Sequence, residues 1–247
     1  MKTVLITGAS SGIGWATAIA MDRIGHRLIL CGRNQNRLKQ LHDQLQQPPC
    51  ILTFDVRDRA AVFEAINSLP PDYSSIDVLI NNAGNAHGLD LSQDASLDDW
   101  DAMIDGNVKG LLYVTKAVLP KMIERQSGQI INIGSIAGKE AYLKGNVYCA
   151  SKAAVDSFTT GLRMDTNPHG IRVGAIHPGL VETDFSNVRL KGDTVAAQKV
   201  YADVNALQAQ DIAETLVFMV EAPAHVNLAD ITILPTDQAS ASIVHRK

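Results

Sequence analysis

Short apolar runs alternate along the chain with longer stretches in which apolar residues return every three or four positions. Thr3 to Ile6, Arg27 to Cys31, Ile51 to Phe54, Val78 to Ile80, Ile130 to Gly134, Ile171 to Ile176 and Ile231 to Leu234 are rich in Ile, Val and Leu. Each is followed by turn-forming or polar residues, the mark of a buried strand. The stretches between them predict helices over Trp15 to Ile24, Asn34 to Gln46, about Asp58 to Ser68, about Leu97 to Arg125, Tyr148 to about Thr166, and Ile212 to Val220 capped by Asp211. Pro48-Pro49 closes the second helix, and Pro168 with Gly170 closes the Tyr148 helix. Gly106 and Gly110 weaken the longest helix around Asn107, where a kink would free a backbone carbonyl. In the Tyr148 helix, Val155, Phe158 and Leu162 form an apolar stripe that reads as core or interface.

Strands alternating with helices at this spacing predict an α/β fold: a doubly wound parallel sheet of about seven strands with helices on both faces. No repeat or compositional break divides the chain, so a single dinucleotide-binding domain over 1–247 is expected. Residues 136 to 147 read as a loop walling a pocket. The irregular stretch from Pro178 to about Thr194 reads as a lid, placed around 178–205.

Composition narrows the function classes. The 247 residues are 46% hydrophobic and 19% charged with a net charge of −4, which gives no reason to expect nucleic acid or an anionic membrane as partner. No apolar run reaches the length of a membrane span, and Val4-Leu5-Ile6 is too short for a signal peptide. Cys31, Cys50 and Cys149 are odd in number and lack metal-type spacing, pointing to a reducing, cytoplasmic setting. The seven histidines are scattered, so no metal site is expected.

Candidate chemistry gathers at the ends of the strands. After the first strand comes Thr7-Gly8-Ala9-Ser10-Ser11-Gly12-Ile13-Gly14. Its glycines allow a tight turn and close approach of a phosphate, and the following helix presents free N–H groups there. The second strand ends in Cys31-Gly32-Arg33 with no carboxylate to take a ribose 2′-hydroxyl; the Arg33 guanidinium suits a 2′-phosphate, favouring NADP over NAD. Asp55-Val56 and Asn81-Asn82-Ala83-Gly84 end the third and fourth strands, and Ser135 follows the fifth. Tyr148 and Lys152 stand four apart on one helical face, where an ammonium would favour the phenolate. A hydroxyl, a phenol and a cation suit proton transfer to a carbonyl or from an alcohol.

Together these residues, with Asn107 and Pro178-Gly179, resemble the short-chain dehydrogenase/reductase family over essentially the whole chain. The segment Glu182-Thr183-Asp184-Phe185-Ser186-Asn187-Val188-Arg189, with Lys191-Gly192-Asp193, Pro223-Ala224-His225-Val226-Asn227 and Leu234-Pro235-Thr236-x-Gln238, is similar to its branch of NADP-dependent 3-hydroxy acid dehydrogenases that oxidise serine and allo-threonine. The resemblance implies Tyr148 as general acid/base, Ser135 on the substrate oxygen, and Lys152 on the nicotinamide ribose lowering the Tyr148 pKa. It implies Asn107 holding a water that links Lys152 to solvent. Asp55 and Val56 would take the adenine, Asn82, Ala83 and Gly84 the adenosine side, and Pro178, Gly179, Val181 and Thr183 the nicotinamide region. It also implies a homotetramer built on the two long helices.

A hydroxy-acid substrate brings a carboxylate that needs a cation, ideally a bidentate one. Arg189 in the lid is the candidate, with Lys144 also near Tyr148 in sequence. The loop Lys139-Glu140-Ala141-Tyr142-Leu143-Lys144 departs from what the branch leads one to expect, which bears on substrate choice. The rival readings are a reductase of another carbonyl substrate, such as a 3-oxoacyl thioester, and a non-catalytic NADP-sensing protein. The unusual lid and tail argue against the first, and the intact Tyr148–Lys152 set against the second.

Overall fold

The computed structural model describes residues 1–247. Seven strands form one parallel sheet: β1 Thr3–Thr7, β2 Arg27–Gly32, β3 Cys50–Thr53, β4 Val78–Asn81, β5 Gly128–Ile133, β6 Ile171–Pro178 and, near the end of the chain, β9 Asp230–Ile233. A separate pair, β7 Val181–Glu182 and β8 Leu207–Gln208, lies between the last two in sequence. The order in the large sheet is β3-β2-β1-β4-β5-β6-β9. It reverses direction beside β1, so the crevice opens above the carboxyl ends of β1 and β4.

The strands are apolar on both faces because helices cover both. Val4, Ile6, Leu28 and Leu30 pack with Ala18 and Met21 of α1 (Gly12–Arg23), Leu38 and Leu41 of α2 (Gln35–His42), and the Ile212, Leu216 and Met219 side of a late helix. Leu5, Ile29, Leu79 and Ile130 face Val62 and Ile66 of α3 (Arg59–Asn67) and a helix carrying Val114, Val118 and Met122. That double burial is why the strands read as continuous apolar runs without alternation.

The long helix expected over Leu97 to Arg125 is three pieces: α4 Leu97–Ile104, a π-helical turn Asp105–Lys109 and α5 Gly110–Glu124. A Cβ on Gly110 would lie 2.7 Å from Val56 Cγ2, so the helix must present glycine to pass the end of β3. The inserted π turn carries Asn107 to the buried side. The Tyr148 helix is α6, Asn146–Thr166. Of its stripe, Val155 and Leu162 are core and Phe158 packs against the core from a half-buried position.

Two expectations are corrected after Pro178. The stretch to Thr194 is not irregular: it holds β7 and α7 (Phe185–Arg189), and α8 (Thr194–Tyr201) follows, capped by the Asp193 carboxylate accepting from Ala196 N–H at 3.0 Å. Asp211 is not the cap of α9, which spans Ala209–Glu221. Gln208 is the cap, and Asp211 reaches back in a capping box to accept from Gln208 N–H at 2.8 Å. The pattern of apolar residues missed α7 and α8 because they are short and only half buried.

Candidate active site

The glycine turn is held by backbone geometry. Gly8 has φ +65, and a Cβ there would meet Ala83 Cα at 2.9 Å; one on Gly14 would run into the Gly8 carbonyl and into Asn82 Nδ2 at 2.5 Å. Asn82 staples this packing, donating Nδ2 to the Thr7 carbonyl at 2.9 Å, while Thr7 Oγ1 accepts from the amides of Asn82 and Ala83. The Asn82 carboxamide thus serves the turn. Helix α1 opens without a side-chain cap, which leaves its first amides, at Gly12, Ile13 and Gly14, to an external acceptor. These orphan donors and the side-chain-free cradle fit a dinucleotide phosphate.

At the end of β2, Arg33 Nη1 lies 3.7 Å from Asp55 Oδ2 and its side chain is exposed. Arg57 grips the same carboxylate, Nη2 to Oδ2 at 2.7 Å and Nε to both oxygens. Partial burial opposes the Asp55 charge, but Arg57 and then Arg33 outweigh it and hold its carboxyl below the usual range. Arg37, which the motifs did not single out, lies over the Trp15 ring at 4.9 Å and donates Nε to the Ser10 carbonyl at 3.4 Å. Arg33 and Arg37 at the rim of the cradle fit a 2′-phosphate. Only the i, i+4 spacing of Arg33 and Arg37 hinted at the second cation. Val56 serves packing against Gly110.

Ser135 follows β5, half-opening a short 3-10 turn, Ile136–Gly138, whose Ala137 N–H its Oγ accepts at 3.1 Å. A Cβ on Gly138 would stand 2.7 Å from the Lys152 backbone, so that glycine lets α6 press onto the turn and brings Tyr148 beside Ser135. Tyr148 and Lys152 are both buried. Lys152 Nζ donates to the Ile133 carbonyl at 2.9 Å. The ammonium is thus held by a strand carbonyl, one helical turn along α6 from Tyr148. Burial raises the Tyr148 pKa, the nearby Tyr142 adds to it, and Ser135 and Arg189 are the groups that pull it back. Burial also lowers Lys152 to about 8, leaving it mostly charged near neutrality.

Asn107 donates Nδ2 to the Asn85 carbonyl at 2.8 Å and to Ser151 Oγ at 3.0 Å, and its Oδ1 accepts from Asn85 N–H at 2.7 Å. Its carboxamide thus clamps the loop after β4 to α6. Gly84 passes close by: a Cβ there would lie 3.0 Å from Asn107 Oδ1 and 3.5 Å from Lys152 Nζ.

Beyond Tyr148 an open cleft of about 270 Å³ is lined by His87, Asp90, Asp99, Lys144, Tyr148 and Arg189, among others. The Arg189 guanidinium lies 5.5 Å from the Tyr148 ring centroid and 5.4 Å from that of Tyr142. It donates Nη1 to Tyr142 Oη at 2.7 Å and Nε to the Gly88 carbonyl at 3.2 Å, leaving Nη2 uncommitted. Phe185 closes the opposite side, its ring 5.6 Å from that of Tyr148. The lid is latched to α4 by Lys191 Nζ on Asp99 Oδ2 at 2.8 Å. Thr183 stands 3.5 Å from where a Gly12 Cβ would be, so the lid spans from the glycine turn to the cleft. Pro178 ends β6 and Val181 opens β7; between them Gly179 donates to the Ile233 carbonyl at 2.8 Å and Leu180 to Gln238 Oε1 at 2.8 Å. The C-terminal tail thereby braces the loop. A phenol, a hydroxyl and an ammonium beside a cleft that offers the Arg189 guanidinium can move a proton on the oxygen of a small substrate.

A family model described as short chain dehydrogenase matches residues 2–193. The NADP-dependent 3-hydroxy acid dehydrogenase YdfG of Escherichia coli (strain K12) is 46% identical over 246 residues, covering 99% of both chains. Sulfoacetaldehyde reductase 2 of Chromohalobacter salexigens is 45% identical over 247 residues, 98% of both. A solved closed form of serine dehydrogenase complexed with NADP+ superposes with a TM-score of 0.95 at 46% identity, covering 99% of this chain and all of that one. With its sheet order and these relatives, the chain belongs to the short chain dehydrogenase family.

Proposed function

We propose that this protein is an NADP-dependent oxidoreductase interconverting a small 3-hydroxy acid, of the serine, allo-threonine or 3-hydroxyisobutyrate type, with its 3-oxo acid. The observation that carries the reading is the Arg189 guanidinium stacked over the Tyr148 ring with Nη2 uncommitted, a cation within one small molecule's length of a proton-transfer group. Relatives named for a 3-hydroxy acid and for sulfoacetaldehyde, both small anions, support it.

The amides of α1 and the glycine turn hold the cofactor's phosphates, Arg33 and Arg37 its 2′-phosphate, and Pro178 to Thr183 the nicotinamide side. NADP+ bound there supplies the acceptor for the hydride leaving the hydroxyl-bearing carbon. Tyr148 takes the hydroxyl proton in oxidation and returns it in reduction; Ser135 donates to the same oxygen. The Lys152 ammonium, held by the Ile133 carbonyl one helical turn from Tyr148, favours the charged form of the phenol when the proton leaves. Arg189 fixes the carboxylate, so orientation is set before chemistry. Serine would yield a 2-amino-3-oxo acid, which is prone to lose carbon dioxide.

Exposed apolar residues on the long helices, Leu97 on α4 and Met164 on α6, support a homotetramer built on those helices; light scattering at four chain masses checks it. No helix is long and apolar enough to cross a membrane, in keeping with the cytoplasmic setting that we propose.

The test is NADP+ reduction with L-serine, L-allo-threonine and 3-hydroxyisobutyrate, with NAD+ reactions alongside. Turnover of at least one acid, far faster with NADP+, is expected. Silence on all three acids together with NADPH-dependent reduction of a 3-oxoacyl thioester would replace this reading with that rival.

A further inference from the structure

We propose that Asp156, His177 and Asp230 form a binding site for a divalent transition-metal ion such as Zn2+, behind the cleft and separate from it. Asp156 comes from α6, His177 from the end of β6 and Asp230 from the start of β9, so no spacing in the sequence could announce the group. His177 Nε2 lies 3.5 Å from Asp156 Oδ1 and 3.3 Å from Asp230 Oδ2, and the donor atoms of all three fall within 4.8 Å of one another. In a tetrahedral zinc site with bonds of about 2.1 Å, neighbouring donor atoms stand about 3.4 Å apart. The two His177 separations match that edge.

The second observation is the imidazole itself. His177 is 0% exposed, and its ring nitrogens make no well-aligned hydrogen bond, Nε2 facing the Asp156 and Asp230 carboxylates at 3.5 and 3.3 Å. A buried polar atom without a partner is costly and calls for a reason. Gly134 makes room for the ring, since a Cβ there would lie 2.7 Å from His177 Cε1. A histidine nitrogen and two carboxylate oxygens are ligands suited to zinc, with a fourth position open to water.

Lys139 is the incumbent. Its Nζ lies 2.6 Å from Asp230 Oδ2 and 3.6 Å from Asp156 Oδ2, so an ammonium already sits between the carboxylates without satisfying the imidazole. Lys139 and Asp230 are both partly exposed, which gives an ion a way in and lets the lysine swing out. Metal and Lys139 therefore compete for one place. Occupancy would tie α6, β6 and β9 together next to Gly134 and Ser135.

The experiment is calorimetric titration of the tag-free, chelator-treated full chain with Zn2+, with thermal unfolding in the same buffers and Co2+ absorbance as a geometric readout. One Zn2+ per chain, a raised Tm and a tetrahedral-type cobalt spectrum are expected. His177→Gln and Asp230→Asn should each weaken zinc binding about 10- to 100-fold. Lys139→Met, which removes the competitor and no ligand, should tighten it severalfold. Asp230→Asn lies at a half-exposed edge, so it keeps the test valid if the buried His177 variant fails to fold. Absence of zinc binding by the wild type, binding unchanged in Asp230→Asn, or weaker binding in Lys139→Met would each overturn the proposal.

Discussion

The two walls of the cleft are built from different material. The dinucleotide wall is mostly backbone, a positive-φ glycine and a helix that opens without a cap, stapled by the Asn82 side chain to Thr7 with Arg33 and Arg37 at its rim. The substrate wall is side chains from distant segments: Arg189 against Tyr142 and Tyr148, Phe185 against Tyr148, and Lys191 on Asp99. Backbone groups cannot be exchanged by mutation, so such a wall accepts one kind of ligand. A wall of side chains can be re-cut residue by residue, which is how one fold serves many substrates.

The contrast makes graded predictions. Tyr148→Phe removes the proton-transfer atom and nothing from the backbone wall. Its kcat should fall about 1,000-fold, with NADPH affinity within about twofold of wild type by fluorescence titration.

Lys152 sharpens the comparison through pH. Burial lowers its pKa to about 8 from the ordinary 10.5, so the folded chain binds this proton less tightly than the unfolded one. The penalty of the buried ammonium is fully present below about pH 8 and is relieved as pH rises toward the unfolded value. Denaturant melts should show wild type gaining on the order of 2–3 kcal/mol relative to Lys152→Met between pH 8 and 10.5. A flat difference would refute the burial of a charged lysine.

Gly14→Ala attacks the backbone wall directly, because the new methyl meets the Gly8 carbonyl and Asn82 Nδ2. NADPH affinity should drop about 10- to 100-fold, equivalent to 1–3 kcal/mol of packing strain. The smallest effect belongs to the lid latch. Lys191 is 60% exposed in its pair with Asp99, so Asp99→Asn should raise KM no more than about fivefold.

The same division decided what could be read in the sequence. The strands, the parallel order and the glycine turn were legible because each is a local pattern: apolar runs, turn residues, helix starts. Asn107 was legible as a weak point between Gly106 and Gly110, and the π turn lies there. Its clamp on Asn85 and Ser151 was not, since that depends on a loop folding back. The one-turn spacing of Tyr148 and Lys152 on α6 was legible, but the anchor of the ammonium was not. A carbonyl from a strand 19 residues away in sequence takes the ammonium first. Arg37 escaped for the same reason, since tertiary packing brings it to Ser10; the Asp55–Arg57 grip is a local contact two residues apart that no motif marked.

The central claim is that a lid arginine grips the substrate's carboxylate beside Tyr148. Its most direct measurement is steady-state kinetics of Arg189→Ala with L-serine and with a neutral alcohol of similar size. The account predicts a KM for serine raised about 10- to 100-fold, the loss of a charge-assisted hydrogen bond, with the neutral alcohol nearly unchanged. Equal losses for both substrates would contradict it and leave Arg189 as a packing residue of the lid.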